Sequence, residues 1–294
     1  KAQKNPVELQ GFREAVKKDG VALTEFLFWL KENLKTGVIT EYTAANKLAE
    51  FRSLQKGYAG ESFSPIVGYK EHGAMIHLSA GEKEALVLQE EGILLFDTGG
   101  HYLNGTTDIT RTIALGDVSL QQKRDFTLVL KGLIALSEVK FPYGTKGWQI
   151  DVLARASLWK YGLNYGHGTG HGIGHYLNVH EGPVSIRHDY SEIPLLPGMI
   201  LSNEPGIYRD GKYGIRVENI MACKKIEDTE FGTFLGFETI TLFPIDINLI
   251  EVELLSEDDK NWINSYHRQV KKEIKPLLNK ELWDFFDELT AEIN

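Results

Sequence analysis

The chain has 294 residues, 42% of them hydrophobic and 25% charged, with a net charge of −9; this is globular composition, long enough for one large domain or two medium ones. The acidic balance has no Lys/Arg block beyond Lys271-Lys272, which argues against nucleic-acid binding, since that draws on a basic patch. A lone cysteine, Cys223, excludes an internal disulfide framework, suits a reducing, cytoplasmic compartment and reads as a small buried hydrophobe; no run of about 18 apolar residues offers a membrane span, and no signal peptide is visible.

In chain order, Asn5-Pro6-Val7-Glu8 has the form of a helix start, with Asn at the N-cap, Pro in the first position and Glu two residues on. Leu9, Phe12, Val16, Leu23, Phe26, Leu27 and Leu30 follow at roughly helical spacing, with Gly20 as a point of division into two helices and Gly37 as the stop. Thr40-Glu41 opens a further helix carrying Ala44, Leu48 and Phe51. Ala74–Leu78 and Leu86–Leu88 read as strands, and Ile93–Asp97, an apolar run between Glu-Gly and Gly-Gly, reads as a buried one. Residues 119–140 and 148–162 are predicted helices, and 198–224 returns to strands and turns. The tail from Ser256 to Ile293 is helical and charged, with Trp262, Tyr266, Leu277, Leu282, Trp283 and Phe286 as its apolar face.

Five residues able to ligate a metal lie along the middle of the chain: Asp97 in FDTGGHY, Asp108 in TTDITRT, His171 in GHGTGHGIGH, Glu204 in SNEPGIY and Glu218 in GIRVEN. Four carboxylates and one imidazole form an oxygen-rich set that suits Mn²⁺-like ions better than a thiolate-type zinc site. Two divalent ions would balance four carboxylates, which a dry cleft tolerates better than bare charges. The set reads as a two-metal hydrolytic centre. Singly, each acid has an ordinary alternative: Asp97 and Asp108 as turn caps, Glu204 as a turn acid, Glu218 as an ion pair with Arg216. Jointly those alternatives need five coincidences.

A weak internal repeat connects the acids. Phe96-Asp97 leads through Gly99-Gly100, Tyr102 and Gly105 to Asp108, and Asn203-Glu204 leads through Gly206, Tyr208 and Gly211 to Glu218, eleven and fourteen residues on. In each case a strand, a turn and a returning strand would set two acids side by side. Between the two lies Gly166–His180, with glycine at 166, 168, 170, 172 and 174. Five glycines make a helix costly, which excludes a helical HExxH motif. An extended segment would turn His167, Thr169 and His171 to one face. No GxGxxG spacing occurs in it, so a dinucleotide loop is a poor reading. The plain alternative is a glycine-rich surface loop.

These motifs resemble the metallopeptidases of the pita-bread fold, which include methionine aminopeptidase, prolidase and aminopeptidase P. The ligand order Asp97, Asp108, His171, Glu204, Glu218 matches the family's five. Ala74-Met75-Ile76-His77, Gly105–Thr112, Tyr165–Gly174 and Leu177–Pro183 resemble its Xaa-Pro aminopeptidase branch most. The likeness runs from Asn5-Pro6-Val7-Glu8-Leu9 into the tail. It implies an α+β fold: a curved antiparallel sheet with helices on its outer face, in two pseudo-symmetric halves. It implies that Asp97 holds one ion, His171 and Glu204 the other, and Asp108 and Glu218 both, with water between the ions as nucleophile. The ions are expected to be Mn²⁺, with Zn or Co as alternatives. His77, His167 and His180 match non-ligand histidines that act on the substrate: His180 on the scissile carbonyl, His167 on the residue after the scissile bond, His77 at the proline pocket or in proton transfer, with the division among them open. Arg216 braces the acids from behind. His175 has no expected role.

The expected activity is removal of the first residue from peptides with proline second. Prolidase and methionine aminopeptidase are the neighbouring alternatives; a pita-bread domain that lost catalysis and binds other molecules is the alternative of another class. Residues 1–250 are expected to form the catalytic domain and 251–294 a helical extension packed on it, in a fragment that lacks its parent's amino-terminal domains. A homodimer is compatible with the tail; nucleic-acid and membrane partners are not expected.

Overall fold

The computed structural model describes Lys1 to Asn294. Helix α1 (Pro6–Asn33) begins where the sequence signals it: the Asn5 side chain accepts from the Val7 and Glu8 N–H groups, and the Glu8 carboxylate accepts from the Asn5 N–H at 2.9 Å. The expected division at Gly20 does not occur. A Cβ there would meet the Leu242 carbonyl oxygen at 2.4 Å, so the glycine permits close packing inside one continuous helix. Gly37, at φ +68°, closes the short 3-10 turn Leu34–Thr36, and α2 (Glu41–Ser53) starts on a Thr40 cap.

The first half of the sheet follows. Strands β1 (Tyr58–Glu61), β2 (Ile66–Tyr69), β3 (Ile93–Thr98), β4 (Gly100–Tyr102), β5 (Gly105–Thr106) and β6 (Ile109–Ala114) form two antiparallel three-stranded groups, ordered β2-β3-β6 and β1-β4-β5. The strands expected at Ala74–Leu78 and Leu86–Leu88 are absent. The first is the end of a 3-10 turn, Lys70–Ala74, and the turns after it, with Met75 exposed. The second contributes one bridge, Val87 to Thr40. The place beside β3 is taken by β2, whose four residues are all buried; the short apolar run at 74–78 is not needed for that ladder.

Helix α3 (Leu120–Ser137), strand β7 (Phe141–Pro142) and helix α4 (Gly147–Trp159) lead to the second half. Here β8 (Gly170–His171) pairs with β9 (Ser185–Ile186), β11 (Gly206–Arg209) pairs with β12 (Tyr213–Arg216), and β10 (Ile200–Asn203), β13 (Asn219–Thr229) and β14 (Gly232–Thr239) form a sheet in the order β10-β13-β14-β7. All of these ladders are antiparallel. The halves are joined where the Glu218 N–H donates to the Thr110 carbonyl at 3.0 Å and the Thr112 hydroxyl to the Arg216 carbonyl at 3.0 Å.

Helices α5 (Glu257–Ile274) and α6 (Trp283–Leu289) complete the chain. Phe12 and Val16 of α1, Val129 and Leu133 of α3, Ile215 and Ile220 of the strands, and Ile263 and Val270 of α5 share one core. Burying a Leu, Ile or Phe side chain there contributes roughly 1.5–3 kcal/mol relative to exposure. In the tail, Tyr266, Leu282 and Phe286 are buried as expected, but Leu277 is exposed, because Pro276 lies in a 3-10 turn that follows α5 and breaks its apolar stripe. Cys223 is buried and unpaired, and burial pushes its thiol up to about 12. No helix is long and apolar enough to cross a membrane.

Candidate metal centre

Each acid pair sits at the end of a ladder, one in each half. In the β3–β6 ladder Asp97 lies opposite Thr110, and the last pair is Thr98 with Ile109, so Asp108 stands one residue beyond it. In the β10–β13 ladder the last pair is Asn203 with Asn219, and Glu204 and Glu218 stand just beyond. A short hairpin fills the space in each half, β4–β5 and β11–β12. The acid–glycine–tyrosine–acid repeat of the sequence is therefore a repeat of structure.

His171 is brought to these acids by backbone packing. A Cβ at Gly170 would meet the Ser202 carbonyl oxygen at 2.1 Å, so only glycine lets β8 lie this close to β10. The His171 N–H donates to Ser202 Oγ at 3.0 Å, and that hydroxyl donates to Glu204 Oε1 at 3.2 Å. His171 Nδ1 bonds the Gly172 carbonyl at 3.0 Å; a proton on Nδ1 leaves the Nε2 lone pair for a metal. Nε2 lies 3.4 Å from Asp108 Oδ2 and 3.5 Å from Glu204 Oε1. Ligand atoms of Asp108, His171 and Glu218 all fall within 4.8 Å of one another.

These residues line a cavity of about 500 Å³. The nine candidate ligand, substrate and bracing residues all reach its wall: His77, Asp97, Asp108, His167, His171, His180, Glu204, Arg216 and Glu218. Thr169 does not. Its side chain turns the other way and donates to Asp151 at 2.6 Å, because the segment is extended only at Gly170–His171. Arg216 does not pair with Glu218: its Nη2 donates to Asp97 Oδ2 at 2.5 Å, while Glu218 accepts from the Thr110 hydroxyl at 2.7 Å. His175 packs edge-on to Phe12 outside the cavity lining.

The electrostatics show what the residues fit. Burial, together with the neighbouring acids, raises the Glu218 carboxyl well above the carboxylate range. Burial raises Asp108 to about 6 and Glu204 to about 7, against the lowering influence of His171 and Arg216. Burial pushes the His171 imidazole down, but the bond to Asp108 and the charges of Glu204 and Asp108 outweigh it and hold it at about 9. Asp97 Oδ1 is buried without a hydrogen-bond partner, a costly arrangement for a carboxylate oxygen. A cluster of acids that resists ionisation, with an orphaned oxygen beside it, fits a group that supplies positive charge.

Two further imidazoles at the site are shifted toward the neutral form. Burial lowers His167 to about 4, and burial and the His171 charge lower His180. His167 Nδ1 bonds the Gly168 carbonyl and its Nε2 the Tyr208 hydroxyl, both at 2.8 Å. Tyr208 also accepts from Arg216 Nη1 at 2.7 Å. The sequence repeat contains Tyr208 but gives it no function. The sequence gives no signal for the apolar lining of Phe63, Ile66, Ile76 and Val179, or for Arg187 at the wall, because they come from β2 and several separate turns with no shared spacing.

Comparison with known proteins agrees with this geometry. The model for metallopeptidase family M24 matches residues 10–225, and that for the C-terminal region of the same family matches residues 233–293. A probable Xaa-Pro aminopeptidase P from Talaromyces marneffei is 46% identical over 277 residues, covering 92% of this chain and 42% of the relative; one from Aspergillus niger is 47% identical and covered to 45%. This chain thus spans less than half the length of those relatives. The X-prolyl aminopeptidase of Caenorhabditis elegans, a cytosolic enzyme with a di-nuclear active site, superposes with TM-score 0.95 at 40% identity over 100% of this chain and 49% of its own. An Xaa-Pro dipeptidase from Bacillus anthracis superposes with TM-score 0.70 at 30% identity over 83% of this chain and 63% of its own.

Proposed function

Since the chain belongs to metallopeptidase family M24 and has its pita-bread fold, we propose that it hydrolyses the amino-terminal Xaa-Pro bond of peptides as a Mn²⁺-dependent aminopeptidase of the cytosol. The observation that carries this reading is the convergence of four carboxylates and His171 on one cavity that three further histidines also line. Two divalent ions bound there would acidify water and polarise a carbonyl. Asp97 is assigned to one ion, His171 and Glu204 to the other, Asp108 and Glu218 to both; the unpartnered Asp97 Oδ1 and the raised carboxyls support the assignment.

The remaining residues handle the peptide. His180, whose ring centroid lies 4.2 Å from that of His171, is assigned to the scissile carbonyl as a neutral hydrogen-bond donor. His167, fixed by Tyr208, is assigned to the residue after the scissile bond. His77 lines the same cavity beside Ile76 and Phe63, an apolar surface suited to a pyrrolidine ring. Arg216 braces Asp97 and Tyr208 together. Residues 1–250 carry the site in this reading, and 251–294 pack on it. Homodimerisation is part of the same reading, through the tail surface around Trp262 and Trp283.

The purified chain with Mn²⁺ tests the substrate assignment. It is expected to release Arg from Arg-Pro-Pro peptides faster than it cleaves Gly-Pro or releases Met from Met-Ala-Ser. Preference for Gly-Pro would make it a dipeptidase, and preference for Met-Ala-Ser a methionine aminopeptidase. No turnover of any of the three would leave a binding domain.

A further inference from the structure

The five glycines of Gly166–Gly174 leave that segment little side-chain surface with which to hold itself in place, and glycine loses the most conformational freedom on ordering. Two residues of α4 supply the missing hold. Asp151 and Arg155, one helical turn apart and both buried, are joined by Arg155 Nε to Asp151 Oδ2 at 2.6 Å and Nη2 to Oδ1 at 3.3 Å. The guanidinium turns its other N–H groups on the segment: Nη1 donates to the Tyr165 carbonyl at 2.7 Å and Nη2 to the His167 carbonyl at 2.8 Å. Its centre lies 4.0 Å from the Tyr165 ring centroid. Asp151 Oδ1 accepts from Thr169 Oγ1 at 2.6 Å, and the Thr169 and Tyr165 hydroxyls share a bond of 2.6 Å. Tyr165, His167 and Thr169 are thus anchored to one ion pair that does not itself line the cavity. Such a planar, forked donor matches two carbonyls and a carboxylate at once, which a lysine cannot do.

We propose that Asp151 and Arg155 are positioning residues that hold His167 against the cavity and so set how tightly the residue after the scissile bond is gripped. The proposal rests on the substrate role given to His167 above. The Thr169 carbonyl also accepts from the Glu204 N–H at 2.8 Å, so the clamp and the acid cluster share one piece of backbone.

The test combines hydrogen exchange at the amides of residues 166–170 with steady-state kinetics on an Arg-Pro-Pro peptide, using the whole chain loaded with Mn²⁺. Arg155→Met and Thr169→Val are expected to speed exchange about tenfold or more. They are expected to raise KM about fivefold or more, with a smaller fall in kcat and two ions still bound. Arg155→Lys restores part of the protection. His167→Ala raises KM alone, and adding Arg155→Met to it costs less than about twofold more, since the two act as a unit. Unchanged exchange in a folded Arg155→Met chain, or a loss confined to kcat, overturns the proposal. If Arg155→Met does not fold, Thr169→Val decides by the same readouts. A chain without peptidase activity, or His167→Ala with normal KM, contradicts the functional reading instead; exchange then decides the clamp alone, acceleration supporting it and no change overturning it.

Discussion

Glu218 is held at both its side chain and its backbone. It is buried, accepts from Thr110, and its backbone carbonyl accepts from Arg111 at 2.5 Å. Assigned to both ions, it has no substitute. Glu218→Ala is expected to abolish peptidase activity and at least one bound ion by metal analysis; two ions retained would refute its bridging position. His180→Ala is expected to lower kcat by about 10²-fold or more, as for other donors to a developing oxyanion, with metal content intact. Loss of the metal would instead make His180 a ligand.

Glu204 supplies a prediction about pH at the same scale. Its carboxyl is raised from 4.5 to about 7 by burial and by the Asp108 and Asp97 charges, against His171 and Arg216. A carboxyl raised on folding holds its proton better in the folded state. Its stabilising contribution is present below pH 4.5 and is lost as pH rises through 7. In chelator-stripped protein, the melting temperature of wild type relative to Glu204→Gln should fall between those pH values, by the equivalent of a few kcal/mol. Added Mn²⁺ should remove the fall. A relative melting temperature that rises across that window would contradict the linkage. The candidate ligands were legible in sequence because each sits in a short motif; the role of Tyr208 was not, because it depends on His167, forty-one residues away, and Arg187 was not, because no motif marks it.

Elements with strong local signals appear where the sequence placed them. The capping residue Asn5 starts α1, and Ser119 and Ser256 start α3 and α5 with their own capping boxes. Asn5→Ala should cost about 1 kcal/mol by denaturant unfolding; no change would show that the tertiary packing of α1 makes the cap redundant. The signal failed at β2, where four residues including Gly68 are too short for a period to register, and at Ala74–Leu78, where an apolar run serves a turn. Gly20 failed for another reason: glycine marks a break and a close approach alike, and only the Leu242 carbonyl on the far side of the contact tells them apart.

At the scale of the whole molecule, the tail is tied to the acid cluster through one polar network. The Tyr266 hydroxyl accepts from Arg111 Nη2 at 2.9 Å, and that guanidinium also holds Asn219 and the Glu218 carbonyl. The two halves converge on one cavity because each ladder ends beside a pair of acids, a relation visible in sequence as the spaced acids. The central claim is that this cavity is a two-ion peptidase centre. The most direct measurement strips the chain with chelator, titrates Mn²⁺ back, and follows bound ions and Arg release from Arg-Pro-Pro in the same samples. The account predicts no release from the stripped chain and full release restored at two ions per chain; cleavage undiminished after stripping, or a chain that binds no Mn²⁺, would contradict it.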